Sequence, residues 1–232
     1  EIYTLSLHDA LPISDFQLDI GHVGLFKALV AEAGMDEETV SQLRVLIESK
    51  NYFGVEALVD KLTLSDETAK LLLKLPELFG SGDIIAEARS MTCNAEALKA
   101  LDEIEKLCQL IAEYGFEKYI TIDLGMLTEY DYYTGMIFRG YTYGTGEPLI
   151  KGGRYNELMK HFGKPASSIG FAIVVDNLML ALSRQKLTVP SGDKTIVITY
   201  DPGNLKKAIQ EAMELRNKGK KVALCPAKEE QD

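Results

Sequence analysis

Met136-Ile137-Phe138-Arg139-Gly140-Tyr141-Thr142-Tyr143-Gly144-Thr145-Gly146-Glu147-Pro148-Leu149-Ile150-Lys151 is the stretch on which the fold turns. Side chains alternate through Tyr143, which is the period of a strand, and Gly144-Thr145-Gly146 supplies the glycines of a hairpin turn. A second strand follows at Pro148-Leu149-Ile150-Lys151, so the pair is antiparallel. Working upstream, Tyr119-Ile120-Thr121-Ile122-Asp123-Leu124 alternates in the same way. Earlier still, Phe16, Leu18 and Ile20 face one side while Gln17 and Asp19 face the other, which predicts a half-buried strand ended by Gly21 and Gly24. His22, just beyond it, reads as a hydrogen-bonded turn residue. Downstream, the spacing predicts a short helix over Asn156 to His161 and a polar loop over Gly163 to Ser168. An apolar strand over Ile169 to Val174 and a helix carrying Leu178, Leu180 and Leu182 follow. Helices flanking an antiparallel sheet make an α+β domain.

Between about residues 25 and 115 the period is helical. Asp36 is placed to cap a helix carrying Val40, Leu43, Leu46 and Ile47, and a second helix carries Val55, Leu58, Val59 and Leu62. Ser65 precedes a third, with Leu71, Leu72 and Leu75, which Pro76 stops. Gly80-Ser81-Gly82 punctuates the segment. Asn94 then caps the longest helix, with Leu98, Leu101, Ile104, Leu107, Cys108 and Ile111 on one stripe and Gly115 closing it. This reads as a helical subdomain inserted between strands. Residues 188–194 read as a linker, and 195–232 as one strand–helix–strand unit, part of a second α/β domain. That unit is too short to complete a sheet, so a truncated C-terminus is expected. The opening, Glu1 to Ser14, fits poorly with the rest and is read as adapter-derived and non-native; with it His8 leaves the functional argument, and a longer natural N-terminal part is expected.

Of 232 residues, 46% are hydrophobic and 26% charged, an ordinary globular balance. No apolar run reaches the roughly 18 residues of a membrane-spanning helix, so no membrane partner is expected. Thirty-five acidic against 25 basic residues leave a net charge of -10, which repels phosphate backbones at long range. Cys93, Cys108 and Cys225 are too far apart for a metal cluster or a disulfide framework. They predict buried or half-buried thiols in a reducing, cytoplasmic compartment.

Three segments carry chemistry: Tyr130-Asp131-Tyr132-Tyr133-Thr134-Gly135, Gly152-Gly153-Arg154-Tyr155, and Ile169-Gly170-Phe171-Ala172-Ile173-Val174-Val175-Asp176-Asn177-Leu178. Paired glycines let a backbone approach a ligand closely. Tyrosines combine a flat apolar face with a hydroxyl, which suits a small ring-bearing ligand, and Asp131 is able to accept a hydrogen bond from an ammonium or imidazole N–H. Taken singly, each segment is more simply explained by tyrosines packing a sheet and glycines turning it. There is no glycine-rich phosphate loop of the usual type and no acidic pair for a diphosphate–metal site, so neither a cofactor nor a metal is assigned.

In order and together, the segments resemble the histidine-recognition and third class-defining motifs of histidyl-tRNA synthetase, a class II aminoacyl-tRNA synthetase. Those motifs run roughly Arg-Gly-Leu-Asp-Tyr-Tyr-Thr-Gly, Gly-Gly-Arg-Tyr-Asp and Gly-Phe-Ala-Ile-Gly-x-Glu-Arg. The resemblance covers Asp15 to Arg184, helical insertion included. It implies a class II synthetase-like antiparallel sheet with flanking helices over 15–187. Two positions depart from it: Thr128 and Asn177 stand where the synthetase motifs carry arginine. The resemblance assigns those arginines to adenylate formation and ATP binding, and neither threonine nor asparagine supplies a fixed charge with a planar donor fork. Loss of one such charge clamp commonly costs a factor of roughly a thousand in rate.

A histidine pocket without activation chemistry resembles the family of ATP phosphoribosyltransferase regulatory subunits. FQLDIGHV from Phe16 to Val23, YDYYTGMIFRGYTYGTG from Tyr130 to Gly146 and the GEPLIKGGRY that follows are especially similar to it. This resemblance implies a non-catalytic partner of the short-form catalytic subunit in the first step of histidine biosynthesis, in a hetero-oligomer, with histidine as feedback effector and no tRNA. It implies a histidine site in which Tyr133 and Tyr155 line the imidazole side, Asp131 and Thr134 fix that wall, and Gly153 and Gly170 leave room for the ligand. The alternatives are an active synthetase fragment and a pure scaffold for the catalytic subunit.

Overall fold

The computed structural model describes residue 13 and residues 15–128, 132–158, 160, 163, 166–187, 196–201, 203–220 and 222–227. The chain divides into two compact units, Glu1–Leu187 and Thr188–Asp232.

In the first unit six strands form one sheet: β1 (Phe16–His22), β2 (Phe79–Gly80), β3 (Ile120–Asp123), β4 (Met136–Thr142), β5 (Ile150–Arg154) and β6 (Ile169–Ile173), in the order β2-β3-β1-β4-β5-β6. The hairpin of β4 and β5 forms as its alternation and glycine turn predict, with Ile137 opposite Gly153 and Gly140 opposite Ile150. Gly144 and Gly146 have φ of 97° and 71°, left-handed values that glycine adopts without strain. One pair departs from the antiparallel pattern: β1 runs parallel to β3, with Leu18 opposite Ile120 and Ile20 opposite Ile122. A parallel pair needs a long crossover, and the helical insertion supplies it.

That insertion contains α1 (Val23–Glu32), α2 (Glu37–Glu48), α3 (Tyr52–Val59), α4 (Asp66–Lys74), α5 (Asp83–Arg89) and α6 (Ala95–Glu113). Asp36, Ser65 and Asn94 each accept a backbone N–H at the start of a helix, as their positions predict. Each such cap contributes about 1 kcal/mol. Strand β1 runs one residue further than its glycines suggest, ending at His22, which caps α1 by accepting the Gly24 N–H. The two-residue strand β2 and helix α5 are structure where the sequence reads only punctuation. Leu25, Leu29, Leu43, Ile47, Leu71, Leu75, Leu101 and Ile104 close one core with Ile122 and Leu124 of the sheet.

Helix α7 (Val175–Arg184) follows β6 and buries Ala181 and Leu182 against Leu149 and Ile150. Ile13 joins that cluster; the rest of the opening segment lies outside the described residues. The strand over 169–174 is apolar yet not interior: Ile169 and Phe171 on the sheet edge are 66% and 62% exposed. Of the short helix expected over 156–161, the described residues give a turn at 156–157 and 3-10 helical geometry at Leu158 and Lys160; the rest of it and parts of the 163–168 loop lie outside the described residues.

The second unit is the strand–helix–strand motif its pattern predicts: β7 (Ile196–Tyr200), α8 (Leu205–Asn217) and β8 (Val222–Pro226), with β7 and β8 parallel. Its strand β7 looks buried in sequence, yet Val197 is 56% exposed, because a two-stranded sheet covered by one helix leaves a face open. The linker over 188–194 lies outside the described residues. No helix among the described residues is long and apolar enough to cross a membrane. Cys108 packs half-buried against the helical core, and burial pushes its thiol pKa up. Cys93 and Cys225 are exposed, unlike the buried thiols expected of them, because each sits at an element end away from an apolar stripe.

The two faces of α6 give a direct check on this core. Leu101→Ala, on the buried face, is expected to lower unfolding free energy by about 2–5 kcal/mol. Leu110→Ala, on the exposed face, should change it by about 0.5 kcal/mol or less. Equal losses in denaturant titrations would show the core to be assigned to the wrong face.

Candidate functional site

The tyrosine segment links β3 to β4, and its described part, Tyr132–Gly135, lies against the end of β5. The Thr134 N–H donates to the Arg154 carbonyl (2.9 Å), and the Asn156 N–H donates to the Thr134 hydroxyl (3.0 Å). The Tyr155 N–H donates to the Ser168 carbonyl (2.8 Å), just before β6. These bonds draw all three sequence segments to one place. Tyr133 is buried, and its ring meets that of Tyr155 edge-on at 6.4 Å between centroids, while Tyr132 lies 4.4 Å from Tyr133. Edge-to-face contacts of this kind contribute beyond the area they bury.

Gly153 and Gly170 stand here as the resemblance implies, but the room they leave is already used. A Cβ on Gly153 would lie 2.7 Å from both the Met136 carbonyl oxygen and the Tyr133 ring, and one on Gly170 would lie 2.5 Å from the Tyr155 hydroxyl. The glycines therefore act through the tyrosines: they let two rings seat flush on the sheet. Thus Tyr133, Thr134, Gly153, Tyr155 and Gly170 are brought together. Asp131 and its neighbour Tyr130 lie outside the described residues.

Thr128 lines a cavity of about 210 Å³ together with Tyr133, Glu48, Ile137, Arg139 and Lys151. Asn177 is absent from that lining. Its amide in the first turn of α7 donates to the Pro148 carbonyl (3.0 Å) and so pins the turn that leads into β5.

Charges that sequence reading leaves unassigned shape the cavity. Arg139 on β4 donates to the Glu48 carboxylate at the end of α2 and to the Leu127 carbonyl (3.0 Å). Burial works against the Arg139 charge, but the Glu48 carboxylate outweighs it and holds the guanidinium above its usual pKa. Asp19 of β1 stands opposite Arg139 in the register. Burial, reinforced by the neighbouring Asp123 carboxylate, pushes Asp19 up to about 6, although Arg139 and Lys50 pull the other way. Lys50 satisfies Asp123 directly at 2.8 Å. The signal for Asp19 and Arg139 was the alternation itself, which puts both on the polar face of their strands; nothing local marks Glu48.

A second cavity of about 310 Å³ lies beside the same loop, between α1 and α6, lined by His22, Lys27, Glu103 and Thr134 among others. Lys27 donates to the Tyr133 carbonyl (2.9 Å), and Glu103 takes a hydrogen bond from Arg154 (3.1 Å) while facing His22 Nε2 at 3.4 Å. His22 Nδ1 accepts the Gly24 N–H, so it is unprotonated and the ring proton sits on Nε2 toward Glu103. Burial lowers the His22 pKa against the pull of that carboxylate, and the ring serves as a neutral helix cap. Two insertion helices thus hold the tyrosine wall through polar contacts. No group of three or more His, Cys, Asp or Glu among the described residues is arranged to hold a metal ion.

The family model described as histidyl-tRNA synthetase matches residues 1–178. An ATP phosphoribosyltransferase regulatory subunit from Acetivibrio thermocellus is 38% identical over 210 residues, covering 90% of this chain and 50% of that protein. One from Bacillus thuringiensis is 39% identical over 216 residues, covering 92% and 51%. The chain therefore spans about half the length of the curated relatives it matches. Among solved structures, a protein from Bacillus halodurans C described as an ATP phosphoribosyltransferase regulatory subunit/histidyl-tRNA synthetase superposes with a TM-score of 0.67 at 33% identity. That superposition covers 95% of this chain and 56% of the other. Histidyl-tRNA synthetase from Nostoc sp. PCC 7120 shares the fold at a TM-score of 0.66 and 17% identity, covering 97% and 55%.

Two substitutions probe the site without any ligand. Gly153→Ala is expected to displace the Tyr133 ring, altering the near-ultraviolet circular dichroism of the tyrosines and costing roughly 1–3 kcal/mol, as overpacking does. An unchanged spectrum would mean the rings are not seated as described. Asp19 tests the charge cluster. Because its carboxyl titrates near 6 when folded and near 3.8 in the reference state, its contribution favours the folded protein below about pH 4 and is lost as pH rises through about 6. Asp19→Asn, which does not ionise, should therefore melt at a higher temperature than the parent at pH 7.5, with the difference fading toward pH 4. The opposite ordering at pH 7.5 would show that ionised Asp19 is net stabilising.

Proposed function

The chain belongs to the histidyl-tRNA synthetase family, and we propose that within it this protein is a non-catalytic regulatory subunit of ATP phosphoribosyltransferase. In that role it associates with the short-form catalytic subunit at the first step of histidine biosynthesis and senses histidine. The observation that carries the reading is a pair of features found together. Relatives described as that regulatory subunit match nine-tenths of the chain at 38–39% identity. The tyrosine wall is intact, while uncharged Thr128 and Asn177 stand where the synthetase motifs have arginine.

The chemistry follows from what remains. Tyr133 and Tyr155 offer ring faces and edges to an imidazole, and Thr134 is locked to Arg154 and Asn156, which holds the wall in one arrangement. Without a guanidinium at 128, nothing at that position stabilises the charge that develops on an α-phosphate as an adenylate forms. Asn177 spends its amide on the Pro148 carbonyl and contributes to the fold of the hairpin instead. Ligand binding without turnover is what a sensor requires. Its effect on a partner is a coupling free energy of about 1–3 kcal/mol, set by how differently the assembled states bind the ligand. The excess of acid over base, 35 residues against 25, suits a protein with no tRNA to bind.

The test is co-purification of the protein, expressed from its complete reading frame, with a short-form catalytic subunit, followed by phosphoribosyl transfer assays with and without histidine. Association, dependence of activity on this subunit and inhibition by histidine are expected. Tyr155→Ala should weaken inhibition by roughly 5- to 100-fold while assembly persists. Unchanged feedback in that variant would reduce the protein to a scaffold, and histidine-dependent pyrophosphate exchange into ATP would reveal a synthetase.

A further inference from the structure

The arrangement of charge around the 210 Å³ cavity points to a role for Lys151 that neither the motifs nor the fold assigns. We infer that Lys151 is the residue that receives the carboxylate of the ligand held against Tyr133, and so decides that the site takes a free amino acid rather than its decarboxylated or reduced relatives. The inference rests on the histidine-sensing reading above and adds to it the residue that reads the acid group.

Three observations carry it. First, Arg139 and Lys151 stand directly opposite each other in the β4–β5 register, so two cations share one face of the sheet. Like charges in directly opposed positions destabilise a strand pair, so folding alone gives no reason to keep both. Second, the two are not equally compensated. Arg139 is consumed by the Glu48 carboxylate and the Leu127 carbonyl. Lys151 is exposed and has no hydrogen-bond or ion-pair partner among the described residues. Third, both line the same cavity as Tyr133 and Thr128. With Glu48 and Arg139 cancelling, Lys151 is the uncompensated charge among the described lining residues, beside an aromatic ring. A small molecule with a ring at one end and an anionic group at the other answers both features. Position 128, where the synthetase motifs have a cation, is uncharged here, and Lys151 supplies a positive charge to the same cavity from the adjacent strand. A lysine binds such a group as a compact point charge, without the bidentate fork that would also grip a transferring phosphate.

The experiment is isothermal titration of the full-length protein with L-histidine and with L-histidinol, which replaces the carboxylate by a neutral alcohol. The parent should bind histidine about fivefold to twentyfold more tightly than histidinol, the range for a partly solvated charge-assisted hydrogen bond. Lys151→Met should bring histidine affinity down to that of histidinol while leaving histidinol binding unchanged and the melting temperature no lower than the parent's. Lys151→Arg should restore most of the preference. A Lys151→Met protein that keeps the parental ratio overturns the assignment while leaving the sensor intact, as does a parent that binds both compounds equally. A parent that binds neither removes the sensor itself and this inference with it.

Discussion

Strand β1 is paired on both sides, parallel to β3 through Leu18–Ile20 and antiparallel to β4 along its whole length. Every other feature of the first unit hangs on that double pairing. The parallel side requires a crossover, and the largely helical insertion provides it, closing a core of its own over Ile122 and Leu124. The antiparallel side brings β4 and the hairpin after it into register, so that Gly153 arrives under Tyr133 and Gly170 under Tyr155. A slip of one residue would turn Arg139 and Asp19 to the opposite face and empty the polar side of the sheet.

The insertion is more than a connection. Lys27 of α1 and Glu103 of α6 reach the tyrosine loop and Arg154 respectively, while Glu48 of α2 neutralises Arg139 beside the cavity. Three separate helices therefore touch the site through charged groups, and a small movement of the helical body would be felt at the tyrosine wall. Such contacts are strong where partly desolvated and directional in all cases. The glycines contribute by subtraction. Their missing Cβ atoms let rings and backbone approach to distances no other residue permits, so the wall is built from absences in β5 and β6 as much as from the tyrosines.

Much of this was legible in one dimension because it depends on local periodicity. The caps at Asp36, Ser65 and Asn94, the long amphipathic stripe ending at Gly115, the glycine hairpin and the strand–helix–strand of the second unit each follow from the spacing of a few neighbours. The same holds for the gathering of Tyr133, Thr134, Gly153, Tyr155 and Gly170, since all of them lie on or beside three consecutive antiparallel elements. By contrast, the parallel partner of β1, the burial of Asp19 and the neutralisation of Arg139 by Glu48 were decided only by tertiary structure. Each joins residues about ninety or more positions apart, and no local pattern records which of many acids will meet a given base. The exposed edge at Ile169 and Phe171 belongs to the same class: a strand's own composition states that it is apolar, whereas only the finished sheet determines what lies beside it. Periodicity therefore set the elements and the roster of the tyrosine wall, and long-range pairing set its charge, because alternation is a property of neighbours and electrostatics a property of whatever the fold brings near.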